Sequence, residues 1–116
     1  MTTQCYQDAS LQLLEQAQLE LETGDVRQAS KKAWCAAAQA IKAVCQARGW
    51  RHDSHALLHQ AVERLVDETL DDRIEELFSV AVRLHINFYE HWMSPAAVAR
   101  GLEAVRRFID KLDALP

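Results

Sequence analysis

The sequence predicts an all-α protein. Apolar residues recur with a period near 3.6 along every segment, and the few breaks fall where helices would stop or start. The 116 residues contain only three Gly and two Pro. An all-β fold would need a turn about every 8 to 12 residues, and this composition cannot supply them. With 49% apolar residues the chain has enough to bury a core, and its length suits one domain over residues 1–116.

Tyr6, Ala9, Leu13, Ala17 and Leu21 share one face of a first helix over about 3–23, widened by Leu11 and Leu14. Gly24 suits the end of that helix and Asp25 the N-cap of the next. The second helix, about 25–48, carries a stripe of Val26, Ala29, Ala33, Ala36, Ala40 and Val44. Alanines there let a neighbouring helix approach closely, with Trp34 the one large side chain nearby. Gly49 ends this helix, and Asp53 or Ser54 caps a third over about 55–68, with Leu58, Val62, Leu65 and Val66 inward.

Asp71 and Asp72 put negative charge at the start of a fourth helix, about 72–92, which buries Leu77, Ala81, Leu84 and Phe88. Ser94-Pro95 opens a last helix, with Ser as N-cap and Pro in the first helical position. Val98, Leu102, Val105, Phe108, Ile109 and Leu112 face its core. Short connections between long amphipathic helices predict an up-and-down bundle of four helices with one additional short helix.

The net charge of −4 gives no overall nucleic-acid footprint. No apolar run is long enough to span a membrane. The start of the chain has no secretory pattern, so the three Cys are expected as reduced thiols in the cytoplasm. Cys35 and Cys45 lie ten positions apart on one helix, about 15 Å, and cannot pair within the chain.

Three elements carry a resemblance. Gly24-Asp25 is followed by Ala29, Ala33 and a Lys/Trp/Ala-rich helix. Gly49 precedes Ser54-His55 and an apolar helix. Leu84-His85-Ile86-Asn87-Phe88-Tyr89-Glu90 is the third. In this order they resemble the HEPN superfamily (higher eukaryotes and prokaryotes nucleotide-binding), and the His-x-Asn-Phe-Tyr-Glu run is most similar to its archaeal PaREP branch. The resemblance covers about residues 11–109. It implies a helical bundle, often dimeric. It further implies a metal-independent endoribonuclease, a toxin or antitoxin beside a nucleotidyltransferase partner, or a non-catalytic RNA- or nucleotide-binding module.

The ribonuclease signature of such proteins is an Arg on the fourth helix with a His a few residues later. Arg83 and His91 are the catalytic candidates, but seven residues separate them, one more than the signature allows. Asn87 takes the place of the His if Tyr89 is aligned on the aromatic that follows it. An amide has no proton to give or take at neutral pH. The resemblance therefore favours a homodimeric binding module over an enzyme. A tetratricopeptide-like scaffold is a further alternative, and the repeats it needs are missing.

Arg83 and Asn87 fall at i and i+4, with His91 one turn further, so they are expected on one helical face as a ligand site. Lys32 and Lys42 would flank it. The alternative is a solvated face in which Arg83 pairs with Glu90 or Glu76. A second stripe, Phe78, His85, Tyr89 and Trp92, is expected at a dimer interface. His55 and His59 share a face one turn apart, near His52, but lack a third ligand, so neither a metal nor a cofactor is expected.

Overall fold

A computed structural model describes residues 1–116 as five α-helices with no strand. They are α1 (Thr3–Glu22), α2 (Val26–Arg48), α3 (His55–Thr69), α4 (Asp72–Glu90) and α5 (Pro95–Asp113). The starts follow the side chains the sequence supplies. Thr2, Asp25, Ser54, Asp71 and Ser94 are the N-caps, each accepting a hydrogen bond from a backbone N–H in the first turn. Gly49, at φ 71°, takes the left-handed position after α2, where a β-carbon would be strained.

Helix α2 lies at the centre and touches the other four. Its alanines make this geometry available. Ala29, Ala33, Ala36 and Ala37 have no exposed surface, and Trp34 is the single large side chain buried among them. Helix α5 closes on α4 in the same way: a β-carbon at Gly101 would stand 2.9 Å from a methyl of Leu84. Helix α3, the shortest, packs on α2 and α4 alone.

Helix α1 rests mainly on α2 and touches only α5 besides. It is tied down by Ser10, whose buried hydroxyl donates to the Ala36 carbonyl at 2.7 Å. With so little cover its apolar face is only partly used: Leu14 and Ala17 are buried, whereas Leu11 lies at the surface and Leu19 is 60% exposed.

Helix α4 stops at Glu90 rather than continuing to residue 92. His91 turns into the left-handed region at φ 54° and donates its N–H to the Asn87 carbonyl at 2.8 Å. No helix is long and apolar enough to cross a membrane.

Candidate functional site

The expected ligand face of α4 does not open to solvent as one surface. Arg83 is exposed and takes part in none of the chain's five ion pairs. Glu76 pairs instead with Arg73 at 3.7 Å. Asn87 has no exposed surface. Its amide donates to Ser30 Oγ at 2.9 Å, and its Oδ1 accepts from the N–H groups of Trp92 and Met93 at 2.9 and 2.8 Å. A 40° difference in azimuth on the helix is enough to turn Asn87 under α2 while Arg83 stays outside. Asn87 is therefore a buried end-cap of α4, which corrects its expected place among the ligand-binding residues.

His91 lies about 12 Å beyond Arg83 along α4, past the end of the helix. It borders a shallow hollow with the 23–27 turn. Lys32 is held by Glu20 of α1 at 2.8 Å. Because α1 and α4 do not touch, that lysine sits on the side of α2 away from Arg83. Lys42 is half-buried, near Cys35.

The structure assembles a different constellation where α2, α3 and α4 meet. The imidazole of His85 stacks on Trp34, with centroids 4.6 Å apart and planes within 3°. His55, from the first turn of α3, sets its ring edge-on to both, 5.6 Å from Trp34 and 5.4 Å from His85. Burial, and then the neighbouring His55, holds the His85 imidazole below its ordinary pKa. The Cys35 thiol is pushed up by burial, with Lys31 and Lys42 opposing.

One turn beyond His85, Tyr89 packs against Phe88 at 4.9 Å and is 70% exposed. Two cations from α2 lie over the Phe88 ring: Arg27 at 5.3 Å and Lys31 at 5.1 Å. Arg27 is fixed further by donating Nε–H to the Phe88 carbonyl at 3.0 Å. An exposed aromatic ring beside fixed cations can stack a base and neutralise a phosphate.

The expected interface stripe divides in the same manner. Phe78 is interior, 5% exposed among Trp34, His59 and Phe108, which removes it from any contact surface. His85 is half-buried under the Trp34 stack. Tyr89, Trp92 and the unforeseen Ile86 remain exposed along the C-terminal half and end of α4.

No three His, Cys, Asp or Glu side chains gather closely enough to hold a metal ion. His52 hydrogen-bonds Gln46 at 3.2 Å, well apart in role from the His55–His85 contact.

Sequence reasoning misses Arg27, and gives Lys31 and Trp34 only as part of the Lys/Trp/Ala-rich second helix. Their spacing of four and three places them on one stripe of α2. The signal was present, but only the packing of α4 against that stripe gives it meaning.

The fold and this face define a small all-α protein of five helices with an exposed aromatic ring beside two cations of α2. The chain belongs to the archaeal PaREP1/PaREP8 family, whose model matches residues 6–109. No curated protein and no solved structure matches it.

Proposed function

We propose that this chain is a HEPN-like homodimeric binding module for RNA or nucleotide, acting beside a nucleotidyltransferase partner in a toxin–antitoxin or stress setting. In this reading α1, α2, α4 and α5 are the four-helix bundle and α3 is the added helix. The observation that carries the reading is the exposed Tyr89 ring, set against a Phe88 ring covered by Arg27 and Lys31. Stacking of this kind is worth about 1 to 3 kcal/mol per base and tolerates any base.

Two copies meet around the C-terminal end of α4, through Ile86 and, just past the helix, Trp92, because large apolar side chains left in water favour a partner. Arg83, exposed on the same helix and in no ion pair, supplies a planar fork that suits a phosphate. Fluorescence anisotropy with a short single-stranded RNA and with nucleotides, together with light scattering, tests the reading. Saturable, salt-sensitive binding by a dimer is expected. Absence of binding by a folded dimer removes it. Cleavage of RNA in EDTA that is lost in His91→Ala replaces it with the endoribonuclease reading.

A further inference from the structure

A cleft of about 780 Å3 lies between α1 and α5, and no residue of α4 lines it. Its floor is apolar: Leu14 and Leu102 close it, and Leu19 stands at its rim with 60% of its surface in water. The walls are charged with opposite predominant signs. Helix α1 contributes Glu15 and Glu22; helix α5 contributes Arg106 and Arg107, with Glu103 one turn before. None of these five charges enters an ion pair within the chain.

The shape fits a helix. From Leu14 to Glu22 the cleft follows about 12 Å of α1, or two turns, and it is open along its outer side. The two charged walls face one another without pairing across the gap. An occupant that satisfies both must carry base toward α1 and acid toward α5, around an apolar seam. A second copy does not meet that demand through α1. Its exposed face offers Leu11 and Leu19 with Glu15 and Glu22, and would set acid against acid.

We propose that the α1–α5 cleft is a docking groove for an amphipathic helix of a partner protein, with a leucine-type seam, Lys or Arg along one flank and Glu or Asp along the other. Leu14 and Leu102 receive the seam. Glu15 and Glu22 take the basic flank, and Arg106 and Arg107 take the acidic one. This is recognition of a helix by a groove, with charge setting the direction in which the helix lies. It uses no residue of the proposed nucleotide site, so either reading can fail alone.

Three synthetic helical peptides of about 18 residues test it on the full chain. All share one leucine seam; their flanks are Lys/Glu, Lys on both sides, or Glu on both sides. Anisotropy at low salt should show the mixed peptide binding about tenfold more tightly than either other, as two additional exposed pairs allow. In R106E/R107E both walls are acidic. That variant should lose the mixed peptide by about tenfold and prefer the all-Lys one. These arginines are exposed, so circular dichroism should be unchanged. Equal affinity for the three peptides, no binding, or an unaltered order in the variant overturns the proposal. So does light scattering in which R106E/R107E dissolves a dimer, since the groove's occupant is then a second copy.

Discussion

Asn87 of α4 donates to Ser30 of α2 across 2.9 Å, with both side chains sealed from water. The contact belongs to a chain of bonds. Ser30 Oγ donates to the Val26 carbonyl at 2.9 Å, and Asn87 Oδ1 gathers the N–H groups of Trp92 and Met93. One amide thus terminates α4, turns the chain toward α5 and fastens it to α2.

Asn87→Ala should therefore act on stability. It removes the acceptor of two backbone donors, one of them buried, and leaves Ser30 without its donor. The expected loss is about 2 to 4 kcal/mol, at about 1 to 3 kcal/mol for each buried group left unsatisfied. Ser30→Ala should cost about 1 kcal/mol. Urea titration checks both. A Asn87→Ala variant as stable as the parent would refute the capping role.

The Trp34–His85 stack makes a pH prediction. The folded chain holds the His85 imidazole below the ordinary 6.5, by burial first and by His55 second. The unfolded chain therefore takes the proton more readily. Stability is fully present above about pH 6.5 and is lost as pH falls through the lowered folded-state value. His85→Phe keeps a ring on Trp34 and has no proton to bind. Its melting temperature should change less between pH 7 and pH 5 than the parent's. Parallel curves for the two proteins would show that His85 is not the group responsible. Asp71 acts in a separate, more acidic window. Its carboxylate, held low by Lys111 at 2.7 Å, loses that contribution as pH falls below the carboxylate range.

Gly101→Ala sets two effects against each other. Alanine favours a helix interior by about 1 kcal/mol over glycine. The added carbon would stand 2.9 Å from one methyl of Leu84 and 3.1 Å from the other, and that side chain has no exposed surface. Overpacking costs about 1 to 3 kcal/mol, so a net loss of about 1 kcal/mol is expected from thermal or urea unfolding. A gain in stability would mean that the α4–α5 contact is looser than this.

Binding variants separate the nucleotide reading from a solvated surface. Arg83→Ala should weaken RNA or nucleotide binding by about 1 to 3 kcal/mol, and Tyr89→Ala by a similar amount. Both residues are exposed, so neither change should alter the free energy of unfolding by more than about 0.5 kcal/mol. Unaltered affinity in both variants would place any ligand elsewhere.

Helix limits were legible because their signals are local. Asp25, Ser54 and Ser94 bond within their own first turn, Pro95 is preset for a helix start, and Gly49 takes its left-handed φ without strain. The alanine stripe of α2 likewise announced a closely packed helix, because a small side chain is the condition of close approach. The end of α4 was less legible. His91 is an unusual residue at φ 54°, and the amide that stabilises the turn lies four positions earlier.

Residue types and their order along each helix follow from the sequence by itself, including the Arg27, Lys31 and Trp34 stripe and the succession of His85, Phe88 and Tyr89. Which of them share a surface was decided by tertiary packing. Periodicity places Arg83 and Asn87 on one side of α4, yet it cannot say where the edge of the covering helix falls. Helix α2 covers one and leaves the other in water. Likewise His55 and His85, thirty positions apart, meet only because α3 folds back across α2 and α4. Local chemistry acts over a single turn, about 5.4 Å of helix. Burial and the pairing of distant side chains depend on the whole set of helix contacts, which no single segment contains.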